Sequence, residues 1–280
     1  MYDVLIVGGG PAGLSAALVL GRALRSVLVV DSGEPRNARA QRVNGYLGAE
    51  GRTPFELRAA GRRQIEEVDV RSIEGRVIEA RSESEQHDGA TQTMFWVRLE
   101  DGSEFRGRKL LFATGIQDQL PEIPGFRECY GISVHHCPYC DGYEHRNSRL
   151  VATGSSPGST VRLGLMLTQW SDCVVVATNG GTIEPDDRER LSKNGIGWCE
   201  EPLLRVEHQN GQLDGIVGAQ GTRIEADAIF FSASSAACCE LPTALGCRTK
   251  EKGRIETSDR QGTGVPGVFL AGDADGDAEF

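Results

Sequence analysis

The sequence predicts an α/β fold in which one pattern occurs twice: a short apolar strand, a turn of small residues, a helix and a second apolar strand. The first copy runs from Val4 to Asp31 and the second from Leu150 to Ala177. Between them lies His136-Cys137-Pro138-Tyr139-Cys140-Asp141-Gly142, a pair of cysteines at a spacing suited to chemistry. Short apolar strands alternating with helices indicate parallel sheets buried on both faces. A chain of 280 residues is long enough for two modest domains.

Each element has a local reason. Val4 to Val7 reads as a buried strand, and Gly8-x-Gly10-x-x-Gly13 follows it. Pro11 and Ala12 complete the turn and open a helix over Leu14 to Leu20. Val27 to Val30 is the next strand, and Asp31 ends it. This order is the dinucleotide-binding fingerprint: glycines let backbone approach a pyrophosphate at the helix N-terminus, and the acid accepts hydrogen bonds from a ribose. Glu34 to Thr53 is expected to be a loop over the nucleotide, with Asn44 and Gly45 as contacts, or else a solvated loop. Pro54 to Glu67 has helical periodicity, and Val68 to Val70 and Val77 to Ala80 read as strands. Ser82 to Gln92 is polar and reads as a turn or exposed loop. Met94 to Leu99 and Ser103 to Phe105 flank Asp101-Gly102, a hairpin signal. Leu110 to Ala113 is another strand, closed by Thr114-Gly115, small residues suited to a cofactor's close approach.

Pro121 and Pro124-Gly125 mark a linker. In the second copy, Ser156 replaces the middle glycine and Pro157 lacks an N–H. Thr178-Asn179-Gly180-Gly181 follows its second strand with no Arg or Lys for a ribose 2′-phosphate. NADPH is therefore expected to be a poor reductant, unless Arg162 supplies the charge from one turn into the helix. Asp186 to Asn194 reads as a helix, Leu203 to Val217 as a hairpin around Asn210-Gly211, and Ile224 to Phe231 as one strand. Gly267 to Asp273 is a strand ending in Gly272-Asp273, placed for a cofactor hydroxyl.

Cysteines two residues apart can close a disulfide ring in which one thiol has a depressed pKa. Asp141 follows directly and could move a proton during exchange. The alternative is half of a zinc site, which needs a second ligand pair at motif spacing. Adjacent Cys238-Cys239 suit neither use, and the sequence reading assigns no metal site. Net charge is −10, with no sustained basic block, which argues against nucleic-acid and anionic-membrane partners. No apolar run reaches spanning length, and no leader-like segment precedes the first strand. Eight cysteines in such a chain read as reduced and cytoplasmic.

The glycine motif at 8–13, Ala113-Thr114-Gly115, Cys137-Pro138-Tyr139-Cys140-Asp141-Gly142 and Ala271-Gly272-Asp273 occur in the order of the low-molecular-weight thioredoxin reductases, which the chain resembles over nearly its whole length. The resemblance implies two Rossmann-like, three-layer nucleotide-binding domains, the second inserted into the first. It implies a discontinuous FAD domain at 1–117 and 235–280 and an inserted NAD(P)-type domain at 118–234 carrying the cysteine pair. By position, Gly8, Gly10 and Gly13, with Pro11 and Ala12, would hold the FAD pyrophosphate. Asp31 would hold the adenosine ribose and Asp273 the ribityl chain. Cys137 would react with the partner, Cys140 would face the flavin and Asp141 would move the proton. The expected partner is thioredoxin, a similar protein or a small dithiol, and the expected assembly a homodimer.

The chain departs from the family at its damaged nicotinamide motif. Only Asp277-Ala278-Glu279-Phe280 stand where the family continues into a helix toward the flavin. His135 and His136 are outside the family pattern, and either tune the thiols or are polar surface. The electron donor stays open among NADPH, NADH, ferredoxin and a dithiol. Two other readings are a flavin-dependent dithiol oxidase using oxygen, and a non-catalytic flavin-binding protein. The oxidases often carry His where this chain has Asp141, which favours the reductase.

Overall fold

The computed structural model describes residues 1–87, 90–232, 234–250 and 254–275. In chain order the first elements are β1 (Tyr2–Val7), α1 (Pro11–Arg22), β2 (Val27–Asp31), α2 (Pro54–Glu66), β3 (Arg71–Glu74), β4 (Val77–His87), β5 (Ala90–Leu99) and β6 (Glu104–Phe112). Then come β7 (Ile116–Gln119), α3 (Phe126–Cys129), β8 (Val134–His135), α4 (Pro138–Asp141), β9 (Leu150–Gly154), α5 (Pro157–Leu167), β10 (Val174–Ala177), α6 (Pro185–Lys193) and β11 (Gly197–Cys199). The last are β12 (Leu203–Gln209), β13 (Gln212–Gly218), β14 (Arg223–Glu225), β15 (Ala228–Ser232), β16 (Ser234–Ala237), α7 (Leu241–Ala244), β17 (Val268–Leu270) and a 3₁₀ turn at Gly272–Asp275. The chain divides into two compact units: Met1–Ala38, Phe55–Gln117 and Ser235–Phe280 form one, Arg39–Pro54 and Asp118–Ser234 the other.

The first unit is built on a sheet ordered β3-β2-β1-β6-β5-β4, with β17 also paired to β6. The strands β3, β2, β1, β6 and β17 run parallel, while β4 and β5 add antiparallel neighbours. Alternate side chains go to opposite faces. Leu5, Val7, Leu28, Val30, Leu110 and Phe112 pack with Phe95 and Val97 on one side. Ile6, Val27, Val29 and Leu111 pack with Leu14 and Ala17 of α1 on the other. A strand buried on both faces needs apolar residues at every position, which is why these runs are continuous rather than alternating.

The second unit repeats the plan with an all-parallel sheet ordered β11-β10-β9-β15-β8. Helix α5 covers one face through Val161, Leu163 and Leu167. The antiparallel sheet β12-β13-β14 and α3 cover the other through Val206, Leu213, Ile216 and Phe126. Both units thus have three layers around a Rossmann-like parallel sheet, the predicted α/β class.

Three local expectations are corrected. Ser82 to His87 and Ala90 to Gln92 are strand rather than loop: β4 and β5 form a long antiparallel ribbon pairing Ser82 with Phe95 and Ser84 with Thr93, while Asp88 and Gly89 lie outside the described residues. Backbone ladders carry that ribbon, so a polar sequence gave no periodic signal. Ile224 to Phe231 is split into β14 and β15, which belong to different sheets. The strand expected at Val68–Val70 begins instead at Arg71, because Asp69 turns the chain with φ +58°.

Candidate active site

In the first unit, the turn after β1 is shaped by close backbone approach. A Cβ on Gly8 would lie 2.2 Å from the Ala113 carbonyl oxygen, and one on Gly13 1.9 Å from that of Gly8. Gly10 differs, since a Cβ there would meet nothing within 4 Å. Its missing side chain therefore leaves space open to a ligand. Helix α1 starts with Pro11, has no side-chain cap and no acid in its first turn. Its free amides and positive dipole end suit an anion at this open edge. An FAD pyrophosphate fits these features.

Asp31, at the end of β2, lies beside the same turn. Its Oδ1 accepts the Gly9 N–H at 3.1 Å, and its Oδ2 accepts from Arg58 at 2.5 Å and Arg62 at 2.8 Å. Burial raises its pKa, but the Gly9 amide and the two guanidiniums outweigh this and hold it below the usual carboxylate value. The Nε–H groups of Arg58 and Arg62 are buried without a partner among the described residues. Neither arginine nor Gly9 carried a signal in the sequence, because α2 meets β2 only on folding.

Thr114 and Gly115 follow β6 beside Gly8, and Gly115 has φ +65°. Gly272 packs on Ala12, where an added Cβ would come within 2.7 Å of the Ala12 methyl. The next residue, Asp273, is paired with Arg36 at 2.8 Å. Gly8, Gly10, Pro11, Ala12, Gly13, Asp31, Thr114, Gly115, Gly272 and Asp273 are thus assembled at one end of the first unit's sheet. Asn44 does not belong to this unit. It lies in Arg39–Pro54, grouped with the second, in a loop closed by Val43 N–H to Arg52 O and Gly51 N–H to Val43 O. Asp277–Phe280 lie outside the described residues.

In the second unit, Cys137 and Cys140 form a disulfide across the single turn of α4. Cys137 is the N-cap, and its Sγ accepts the Cys140 N–H at 3.2 Å. Pro138 fills the first helical position, where a missing N–H costs nothing. Trp170 braces the turn from behind: a Cβ on Gly142 would come within 2.8 Å of its indole, and Tyr139 meets the ring edge-on at 5.6 Å. Asp141 closes the helix, and its Oδ2 lies 3.4 Å from His135 Nδ1.

His135, on β8, is only 7% exposed, which corrects its reading as polar surface. Its ring lies over Phe230 of β15 at 5.5 Å, and its Nε2 is 2.9 Å from His145 Nε2. Burial, with His135 beside it, lowers the His145 pKa to about 4, against the opposing charges of Asp141 and Asp227. His136 turns elsewhere, with Nδ1 3.4 Å from the Tyr130 hydroxyl, which donates to Asp118 at 2.6 Å. The remaining six cysteines form no disulfide.

The second glycine-type turn is closed on itself. Ser156 caps α5, accepting the Ser159 N–H, while Thr160 Oγ1 donates to the Ser156 carbonyl. Beyond β10, Thr178 Oγ1 donates to the Gly181 carbonyl and Asn179 Oδ1 accepts the Leu203 N–H. Gly181 abuts the Pro157 ring: a Cβ there would lie 2.6 Å from its Cγ. The exposed Arg162 reaches back toward Gly158, its Nη1 3.8 Å from where a Cβ would stand.

Residues 2–278 match the family model described as pyridine nucleotide-disulphide oxidoreductase. The thioredoxin reductase tcpT of Claviceps purpurea is 33% identical over 98% of this chain and 86% of its own. The crystal structure of HlmI superposes with TM-score 0.90 at 39% identity, covering 97% of this chain and 84% of that one. A putative thioredoxin reductase TrxB of Bacillus anthracis superposes with TM-score 0.91 at 28% identity, covering 99% and 92%. The chain belongs to the pyridine nucleotide-disulphide oxidoreductase family, as a thioredoxin reductase-like oxidoreductase.

Proposed function

We propose that this enzyme is an FAD-dependent disulfide oxidoreductase in which the Cys137–Cys140 pair exchanges with thioredoxin, a similar protein or a small dithiol. The observation that carries the reading is the disulfide on α4, in a family member whose first glycine turn keeps an open helix N-terminus. Bound FAD would supply two-electron chemistry, held by the residues assembled around Gly10. The first unit is then the FAD domain, 1–117 with 235–280, and 118–234 the inserted one. We further assign the protein to the cytoplasm as a homodimer. Among the described residues no helix is long and apolar enough to cross a membrane.

In exchange, a partner thiolate attacks Cys137 Sγ. A new S–S bond forms, the Cys137–Cys140 bond breaks, and the electron pair leaves on Cys140, which takes a proton by way of Asp141. The reverse sequence reduces a partner disulfide. The Cys140 N–H aimed at Cys137 Sγ favours a thiolate there, supporting Cys137 as the exchanging residue. The closed second turn supports a dithiol over NADPH as electron donor, and with it the second reading, a dithiol oxidase using oxygen.

Two experiments test this. Cys140→Ser is expected to trap Cys137 in a mixed disulfide with thioredoxin or glutathione, and Cys137→Ser to trap none. Equal trapping by both variants refutes the assignment. In anaerobic stopped flow, dithiothreitol should bleach the flavin much faster than NADPH. Rapid, saturable bleaching by micromolar NADPH would instead show a working nicotinamide site, with Arg162 its source of charge.

A further inference from the structure

We propose that His135 and His145 form a proton relay behind Asp141, connecting the cysteine pair to solvent through two imidazoles in series. The inference rests on Asp141 being the proton donor and acceptor for Cys140, as proposed above.

The geometry is a line of three groups. Asp141 Oδ2 faces His135 Nδ1 at 3.4 Å, and His135 Nε2 faces His145 Nε2 at 2.9 Å. Two ring nitrogens at that separation share one proton, because two N–H groups would repel and two lone pairs would leave a buried polar contact unmade. Both nitrogens of His135 are therefore engaged, one toward the carboxylate and one toward the second ring. His135 is buried on β8 beside Phe230 of β15, whereas His145 is half-buried and lies on the loop after α4. The line runs from the redox helix, through the interior, to the surface.

Elements packed around the pair keep it poised. Phe230 contributes an apolar ring to both imidazoles, at 5.5 and 6.2 Å. Asp227 adds negative charge near His145, but Arg149 holds its carboxylate at 2.7 Å. Asp141 is the other carboxylate acting on this pair. The low pKa of His145 keeps its ring neutral at neutral pH, able to give one proton and regain another from water.

The step balances without an added oxidant or reductant. When a partner thiolate opens the disulfide, Cys140 leaves as thiolate and takes a proton by way of the Asp141 carboxylate. Asp141 passes on the proton it receives from His135 Nδ1, His135 takes the shared proton at Nε2 from His145, and His145 regains one from solvent, leaving Asp141 a carboxylate again. Dithiol oxidation runs the same protons outward.

The test mixes oxidised, flavin-loaded protein with dithiothreitol under anaerobic conditions. Rapid quench with an alkylating agent, together with flavin absorbance, counts the electrons taken up. His135→Gln keeps polar contacts but cannot relay, and should slow uptake roughly 10- to 100-fold near neutral pH. Asp141→Asn should slow it similarly, and the double variant no more than the slower single one. His145→Ala should be partly restored by added imidazole, with a rescue that grows as imidazole becomes neutral. Wild-type rates for His135→Gln between about pH 6 and pH 9 overturn the relay, while a slow Asp141→Asn leaves the Asp141 assignment standing. Wild-type rates for Asp141→Asn overturn that assignment itself. Should His135→Gln fail to fold, His145→Ala decides: a rate unchanged by the substitution, or a loss that imidazole does not restore, sinks the relay.

Discussion

The two units share one plan and differ at the point where a nucleotide would be held. In both, a parallel strand runs into a turn and the turn into a helix opened by proline. In the first unit the helix end is uncapped and the space at Gly10 is empty. In the second, Ser156 caps the helix and Gly181 lies against Pro157. The same fold therefore carries two different helix ends, one without a side-chain cap and one with it. An uncapped N-terminus retains donors for a phosphate, whereas a capped one has spent them locally. Topology gives both units the same turn, and a few side chains make the two turns differ in what they leave open.

The largest effects should separate two glycines within the first turn. Gly13→Val drives a Cβ into the Gly8 carbonyl and is expected to cost on the order of 4 kcal/mol or more, seen as a lowered melting temperature with or without flavin. At Gly10 an added Cβ meets no protein atom within 4 Å, so in Gly10→Leu the apoprotein should keep its stability while flavin retention falls by roughly a hundredfold. A Gly10→Leu protein that purifies yellow would remove the first unit's turn as the pyrophosphate site.

Acid should separate the units next. His145 titrates near 6.5 when unfolded and about 4 when folded, so the unfolded chain binds the proton first. The associated stability is present above pH 6.5 and is lost as pH falls toward 4, on the order of 2 kcal/mol after screening by solvent. Asp31 has a lowered pKa, so its contribution is lost only below its ordinary value of 3.8. Amide exchange followed by peptide should show α4 and β8 loosening before β2 and α2. Simultaneous loosening of both regions would show that these two groups do not set the acid response.

The smallest effect concerns the cap in the second unit. Ser156→Ala should cost about 1 kcal/mol of stability, read from a denaturant midpoint, because the Ser159 amide loses its acceptor. It should not create NADPH binding, since Pro157 still lacks an N–H and still packs against Gly181. If the substitution does admit NADPH, the serine cap alone was the obstacle and the packing of Pro157 was not.

Much of this could be read from the chain directly, for a physical reason. Period-two and continuous apolar runs, positive-φ glycines and the Cys-Pro-Tyr-Cys spacing act between near neighbours, so strand, turn, helix and disulfide ring are local properties. The paired α/β plan, the glycine turn and the Cys137–Cys140 disulfide ring were legible on those grounds. Only folding decided the rest. Arg58 and Arg62 reach Asp31 because α2 packs beside β2, across a separation of 27 and 31 residues. His135 is buried because β8 pairs with β15, placing it next to Phe230 almost a hundred positions away. Its contact with His145 exists because the turn of α4 reverses the chain between them. Such contacts depend on which strand a residue pairs with and which side chain covers it, and those are properties of the assembled sheet rather than of any stretch of sequence.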